Sequence, residues 1–201
     1  MDKKQRIMVA AERLFTTRQF HEITLDEVAK VAEVGKGTLY LYFADKNDLF
    51  FQTAVAGFDD MCELLRRDPV TGGSVQQELQ QACETISAFF QKRRPLFRMM
   101  LAEGERALGK GGGLRQRWNQ HRKKMTQAVA DIISRGVQRH EVRDDIDPHV
   151  LAEYFMGMIR TRSRELDGQP GWPAGQEALV SLFVRGLAGK SPSQSGAPSK
   201  N

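Results

Sequence analysis

Two short helical patterns joined by three residues occupy residues 24–46, and they constrain the fold more than any other part of the sequence. Thr24 is a favourable helix N-cap. Glu27, three residues later, predicts a capping box in which both side chains accept backbone N–H groups. The apolar residues that follow share one face at helical spacing: Leu25, Val28, Ala29 and Ala32. This face must pack against another element, so the sequence predicts a helix from residue 25 inside a small helical bundle.

A second helix is predicted after the Glu-Val-Gly turn at residues 33–35. Leu39 and Phe43, four residues apart, are expected to turn inward. The opposite face offers a cation, hydroxyl groups and a glycine at which the backbone can approach a partner. These residues are Lys36, Gly37, Thr38, Tyr40 and Tyr42. Such groups suit phosphate oxygens and base edges in the major groove of double-stranded DNA, although a merely solvated helical hairpin is the alternative interpretation.

The pattern as a whole resembles the DNA-binding domain of TetR-family transcriptional regulators. The resemblance lies in Thr-Leu-Asp-Glu-Val-Ala-Lys-Val-Ala from residue 24, the turn, Gly-Thr-Leu-Tyr-Leu-Tyr-Phe from residue 37, and Lys46. It implies that the second helix is the recognition helix and that Thr24 and Lys46 contact the phosphate backbone. The family turn usually reads Gly-Val-Ser, so we expect Glu33 to adopt a positive φ and Gly35 to lack a capping hydroxyl.

Net charge is a weak argument for DNA binding in this chain. The formal charge is +5, yet residues 1–50 contain eight basic and eight acidic residues. The positions of the cations therefore matter more than their number. We expect Lys3, Lys4, Lys36 and Lys46 to face DNA.

Composition excludes several other classes of protein. With 201 residues, of which 40% are hydrophobic, the chain can bury a substantial core. Cys62 and Cys83 form no CxxC motif, so we expect neither a disulfide framework nor a zinc site, and a reducing cytoplasm fits this pattern. There is no apolar run of transmembrane length and no signal-peptide core, and we expect no membrane partner.

The rest of the chain reads as further helices, so the predicted fold is all-α. The expected helices run from about 46 to 66, from Ser74, from Pro95, from 114 to 140, from Asp147-Pro148 to 166, and from 174 to 188. The predicted domains are a three-helix helix-turn-helix DNA-binding domain at 1–48, a helical effector-binding and dimerisation domain at 49–188, and a disordered tail at 189–201.

The family resemblance also implies a small-molecule effector and a homodimer. Candidate effector-pocket residues are Phe89, Phe90, Phe97, Met100, Trp118, Met125 and Phe155, although packing in the core is the favoured interpretation of each one alone. Candidate dimer residues are Val150, Tyr154, Leu179 and Phe183, which also fit an intrachain core. Residues 92–143 contain fourteen basic and four acidic residues, either as a solvated face or as a surface for an anionic effector such as an acyl-CoA.

Three hypotheses follow for the function of the chain. The leading hypothesis is a homodimeric repressor that binds a palindromic operator and is released by an apolar or amphipathic effector. The alternative is a DNA-binding regulator without an effector, controlled by a protein partner. An enzyme ranks far below both, because no catalytic pair or cofactor-binding motif is visible, and we expect neither cofactor nor metal.

Overall fold

The computed structural model describes residues 1–67, 73–99, 113–163 and 176–187, and every regular element within these ranges is helical. This confirms the all-α prediction. No helix within the same ranges is both long enough and apolar enough to cross a membrane. The predicted tail at 189–201 lies outside the described residues, as do the ends predicted for the helices at 166 and 188.

The first helices form as the local sequence dictates. Asp2 caps α1 (Lys3–Thr17) by accepting the Gln5 N–H at 2.7 Å. A 3-10 turn at Phe20–Glu22 leads to α2 (Leu25–Val31), which is followed by α3 (Lys36–Tyr42) and α4 (Lys46–Ala54). The side chains of Ile7, Ala11 and Phe15 on α1 are buried together with Val28 and Ala29 of α2 and Leu49 of α4.

Aromatic side chains close this N-terminal core. The ring centroids of Phe15 and Phe50 lie 5.0 Å apart in an edge-to-face arrangement, and Phe20 lies 5.3 Å from Phe50. Such geometries are favourable for aromatic pairs beyond the area that they bury. The packing holds α4 against α1 and therefore fixes the segment that follows α3.

The prediction of one continuous helix from 46 to 66 was wrong. The chain forms α4 up to Ala54 and then α5 (Phe58–Arg66), with Gly57 between them at φ 75°. Two short turns fill the break, because the Ala56 N–H donates to Thr53 and the Phe58 N–H donates to Val55. Glycine adopts this backbone conformation without a steric cost, so a single residue ends one helix and permits the next.

The later helices largely begin where they were predicted. They are α6 (Val75–Lys92), a helical segment at 94–99, α7 (Gly113–Gln138), α8 (Pro148–Thr161) and α9 (Gln176–Leu187). Ser74 and Gln77 exchange hydrogen bonds at the start of α6. Asp147 caps α8 by accepting the His149 N–H at 2.7 Å, with Pro148 at the first helical position.

A buried carboxylate joins α6 to α7. The Glu78 side chain is only 5% exposed and accepts hydrogen bonds from Arg135 at 2.8 Å and Arg139 at 2.6 Å. Glu141 in turn pairs with Arg139 and accepts the Val75 N–H at the start of α6. Every charge in this Glu78 cluster therefore has an opposite partner, which is the condition under which buried charges are tolerated.

The chain divides into two compact units. One contains residues 1–60 with the described residues of 88–122, and the other contains the described residues of 61–87 with those from 123 onward. The grouping does not follow the predicted boundary at residue 48, because residues 49–60, 88–99 and 113–122 cluster with the N-terminal helices. The predicted functional domains remain a prediction.

Candidate nucleic-acid interface

Helix α3 exposes the face that the sequence predicted. Leu39 and Phe43 are 0% and 1% exposed and anchor the opposite side of the helix in the core. Gly35 begins the helix, and its carbonyl accepts the Thr38 N–H at 2.9 Å. Since residues in a helix advance by about 100°, this anchoring directs the remaining side chains toward solvent.

The predicted recognition residues lie on that outward side. Tyr40 is 49% exposed and Tyr42 is 40% exposed, while Thr38 is partly buried. Gly37 is exposed, and a Cβ built there would meet no atom within 4 Å. Packing within the described chain therefore does not require a glycine at this position, whereas a closely approaching partner would benefit from one.

Thr24 caps α2 as predicted, but only half of the expected capping box forms. The Thr24 hydroxyl oxygen accepts the Glu27 N–H at 3.2 Å. The Glu27 carboxylate instead forms an ion pair with Arg18, which also donates to the Glu22 carbonyl. The prediction for the Glu27 side chain was wrong because a nearby guanidinium attracts this carboxylate more strongly than a backbone N–H does.

The ammonium of Lys36 is engaged with a carboxylate in the free protein. Its Nζ lies 2.8 Å from an Asp26 oxygen, and both side chains are about 60% exposed. The hydrogen bond and the charge of Asp26 raise the pKa of Lys36 above its ordinary value. Exposed pairs of this kind exchange partners at little cost, so a phosphate would compete with Asp26 for Lys36.

Lys46 has an intrachain role that the sequence did not reveal. Its ammonium donates to the carbonyls of Phe20 at 3.0 Å and Ile23 at 2.9 Å, and lies 4.4 Å from the centroid of the Phe20 ring. Lys46 therefore ties the start of α4 to the end of the 3-10 turn. Its contact with phosphate remains a prediction.

The turn between α2 and α3 has the geometry expected from its unusual sequence. Glu33 adopts φ 53°, which confirms the predicted positive φ, and Gly35 forms no side-chain cap. Arg6 of α1 supports the turn by donating to the carbonyls of Ala32 and Glu33 and to the Glu33 carboxylate. Arg6, which lies more than twenty positions earlier in the chain, thus stabilises the turn.

Sequence reasoning missed two residues at this surface. Leu41 is 82% exposed on the outer side of α3, although an apolar residue was not considered for the recognition set. A helical wheel would have found it, because Leu41 lies two positions from each of the buried anchors Leu39 and Phe43 and therefore points away from both.

Asp48 of α4 is the second missed residue. Its carboxylate accepts three hydrogen bonds, from Arg117 of α7 at 2.7 Å, from the Ala44 N–H at 3.1 Å and from Gln52 at 2.9 Å. Burial opposes the ionisation of Asp48, but these hydrogen bonds outweigh it and lower the pKa of Asp48. Because Ala44 follows the C-cap of α3 directly, one carboxylate connects α7 to the end of the candidate recognition helix. No local sequence pattern signals a pair 69 residues apart.

The predicted effector-pocket residues separate into two groups. Phe89, Phe90, Phe97 and Trp118 form an aromatic cluster with Phe58, with centroid distances from 4.7 to 6.4 Å. Met125 and Phe155 belong to the other compact unit, and Met100 lies outside the described residues. An open cleft of about 320 Å³ is lined by residues of α1, α4, α5 and α7, including Lys4, Gln52 and Arg117, and by no residue of the predicted pocket.

The predicted dimer residues also separate. Val150 and Tyr154 are 44% and 65% exposed on α8. Leu179 and Phe183 are each 8% exposed, and the Phe183 ring packs 5.0 Å from Phe155 within the chain. The structure therefore gives Leu179 and Phe183 an intrachain role. On α9 it is Leu182, at 68% exposure, that is accessible to a partner.

Several cations of the basic stretch at 92–143 are used internally. Arg117 pairs with Asp48, Arg135 and Arg139 pair with Glu78, and Arg143 pairs with Asp145 at 2.5 Å. Since Asp48 and Glu78 lie outside the stretch, its local excess of ten charges overstates the charge offered to a ligand. Within the part of the chain that the structure describes, no group of acidic, histidine or cysteine residues could hold a metal ion.

Two models of known protein families match the chain, one near its N-terminus and one over the residues that follow. The family model for bacterial regulatory proteins of the tetR family matches residues 7–53, and the model for the tetracyclin repressor-like C-terminal domain matches residues 69–182. The HTH-type transcriptional regulator EthR of Mycolicibacterium smegmatis is 28% identical over 179 residues, which cover 85% of this chain and 78% of EthR.

Solved structures share the fold. FadR from Bacillus subtilis in complex with stearoyl-CoA superposes with a TM-score of 0.67 at 20% identity, covering 92% of this chain and 97% of FadR. FadR from Bacillus halodurans, a fatty acid degradation regulator, gives a TM-score of 0.69 at 18% identity, covering 94% and 96% of the two chains. The matched relatives are transcriptional regulators rather than enzymes.

Proposed function

Because the chain belongs to the TetR family of bacterial transcriptional regulators, we propose that it is a homodimeric repressor that leaves a palindromic operator when an apolar or amphipathic effector binds. The observation that carries the proposal is the outward face of α3, which Leu39 and Phe43 hold in a fixed orientation. A rigid helix with exposed hydroxyls and a bare glycine suits the major groove. Two copies related by a two-fold axis would read two half-sites about one helical turn of DNA apart.

Fluorescence anisotropy tests DNA recognition directly. The protein is titrated onto a duplex from upstream of its own gene and onto a scrambled duplex at several salt concentrations. We expect a specificity ratio of at least about 10³ at physiological salt. If the protein binds both duplexes equally and weakly, its operator is sought by selecting bound sequences from a random library. Failure to enrich any sequence would refute the proposal.

Lys36 offers a clean test of the docking orientation. Lys36→Ala should weaken binding to all duplexes and lower the salt-dependence slope by about 1 per protein copy. Lys92→Ala, which removes an exposed lysine of α6, is the matched control. Lys46→Ala is less informative, because it also removes the two carbonyl contacts in the N-terminal core. An unchanged slope in Lys36→Ala would contradict the orientation.

The dimer would use the exposed apolar residues of α8 and α9. Val150, Tyr154 and Leu182 are all accessible in the single chain, as residues of an interface between copies must be. Tyr154→Glu should shift the protein toward monomer in sedimentation velocity, because it places a charge in a desolvated contact. A dimer of unchanged stability would exclude this face.

The effector is tested by release of DNA. The related FadR structure holds stearoyl-CoA, and the present chain has an aromatic cluster that would suit an acyl chain. Acyl-CoA esters of increasing length, including stearoyl-CoA, are titrated into the protein–operator complex. Saturable release would support the proposal, whereas neither release nor calorimetric heat across the series would remove acyl-CoA as the effector and favour control by a protein partner.

The Arg117–Asp48 ion pair supports a route by which an effector would act on α3. If an effector moved α7, Arg117 would displace the Asp48 carboxylate. Because that carboxylate also accepts the Ala44 N–H, the end of α3 would move with it. Arg117→Ala should therefore weaken the dependence of operator affinity on effector while leaving effector affinity nearly unchanged. Equal loss of both would mean that Arg117 serves the pocket rather than the coupling.

A further inference from the structure

Leu41 is exposed to an unusual degree for an apolar residue. Its side chain is 82% accessible, the largest value for any large hydrophobic side chain among the residues that the structure describes. It lies on α3, flanked in sequence by Tyr40 and Tyr42, which carry hydroxyl groups. Exposure of this apolar side chain to water is unfavourable, so its burial against a partner would lower the free energy.

The backbone around Leu41 leaves room for such a partner. Gly37 precedes Leu41 by four residues and therefore lies one turn away on the same face of α3. Apart from its two chain neighbours and the nearby backbone of α3, nothing among the described residues lies within 4 Å of a Cβ built on Gly37. The outermost ridge of the helix thus consists of a bare backbone at one end and a single projecting isobutyl group at the other.

We infer that Leu41 recognises the 5-methyl group of a thymine in each operator half-site. This inference rests on the proposed function, because it requires α3 to enter the major groove. The thymine methyl is the apolar feature that base pairs present in that groove, and hydroxyl groups cannot distinguish its presence by hydrogen bonding. Leu41 would supply specificity for thymine, while Lys36 and the hydroxyls supply affinity and polar contacts.

A second copy of the chain is a poorer occupant for this position. The side chain of Leu41 is far smaller than the roughly 800 Å² that each partner buries in a stable protein interface. The exposed apolar residues of α8 and α9 offer a broader face for that purpose. DNA, in contrast, requires only one methyl-sized contact for each recognition helix.

Replacing thymine by deoxyuridine tests the inference, because this change removes only the methyl group. Symmetric replacements are made one position at a time in both half-sites of the operator, and binding is measured by anisotropy. For the wild-type protein we expect one position at which affinity falls about fourfold per methyl, or about fifteenfold for both half-sites, which is the effect of burying one apolar carbon in each. Leu41→Ala should bind the normal operator more weakly and lose sensitivity at that position.

Two further variants separate contact from structure. Leu41→Met keeps an apolar side chain and should retain the sensitivity, whereas Leu64→Ala removes an exposed leucine of α5 and should behave as wild type. Thermal unfolding and sedimentation should be unchanged in Leu41→Ala. The inference would be overturned if wild type and Leu41→Ala were equally sensitive to deoxyuridine, or if no position were sensitive. It would also be overturned if Leu41→Ala had an altered oligomeric state. Failure of the wild type to prefer any operator would instead refute the proposed function.

Discussion

Replacing Glu33 by glycine should stabilise the protein, and the φ of 53° gives the reason. A side chain in the left-handed region costs about 1–2 kcal/mol, which glycine avoids. Glycine also loses more conformational entropy on folding, by roughly 0.5–1 kcal/mol. The ion pair with Arg6 contributes little, because 85% of the Glu33 side chain is exposed. The net expectation for Glu33→Gly is a gain of about 0.5 kcal/mol in the free energy of unfolding.

The sharper comparison is between glycine and alanine at this position. Both variants remove the carboxylate that Arg6 contacts, but only alanine keeps the steric strain. Glu33→Gly should therefore be more stable than Glu33→Ala by about 1 kcal/mol, which corresponds to roughly 2–4 °C in Tm for a chain of this size. Glu33→Asn should fall between them, since asparagine tolerates a positive φ better than alanine does.

Urea denaturation and calorimetry measure these differences. All variants are compared at one protein concentration, because oligomerisation makes apparent stability concentration-dependent. An alanine variant as stable as the glycine variant would refute the argument, since it would mean that the turn stores no strain at residue 33. A glycine variant less stable than wild type would mean that the Arg6 contact outweighs the strain.

Further perturbations address the turn, the ion pair and the thiols. Gly35→Ser should raise stability by a few tenths of a kcal/mol through a new N-cap hydrogen bond, because the backbone of Gly35 is already extended, and unchanged thermal unfolding would contradict this. The lowered pKa of Asp48 stabilises the folded state above about pH 4, the range in which the unfolded carboxyl is ionised, and this contribution is lost as the pH falls through the folded pKa. Asp48→Asn should therefore lose less stability on acidification than wild type does. If the stabilities of the two proteins fell in parallel below about pH 4, the hydrogen bonds from Arg117 and its neighbours would not be the source of the pH dependence. Cys62 and Cys83 are buried, and burial raises the pKa of the Cys83 thiol, so both should react with a thiol reagent only after unfolding; rapid labelling of the native protein would show that the core opens locally.

Local sequence rules predicted the features that depend on neighbouring residues. The cap at Asp147, the inward anchors Leu39 and Phe43, and the positive φ of Glu33 each follow from a few adjacent positions. The break at Gly57 escaped prediction because an isolated glycine is compatible with a continuing helix, and only the packed structure shows that the chain turns there.

Contacts between distant residues were beyond sequence reasoning. Lys46 was expected to face phosphate, yet its ammonium also binds two carbonyls more than twenty residues earlier. Glu27 was assigned to a backbone N–H, but Arg18 takes its carboxylate. Leu41 was passed over because apolar side chains are ordinarily assigned to the core, although the predicted inward positions of Leu39 and Phe43 already implied that it is exposed.

The Glu78 cluster restricts the mechanics of the helices that it joins. Arg135 lies in the last turn of α7, Arg139 follows the end of that helix directly, and both bind one carboxylate of α6. Sliding one helix along the other by a turn, about 5.4 Å, would separate these charges. Breaking a buried ion pair costs about 3–5 kcal/mol, more than the roughly 1–3 kcal/mol that allosteric coupling typically supplies. The Glu78 cluster therefore fixes the register between α6 and α7 at this point.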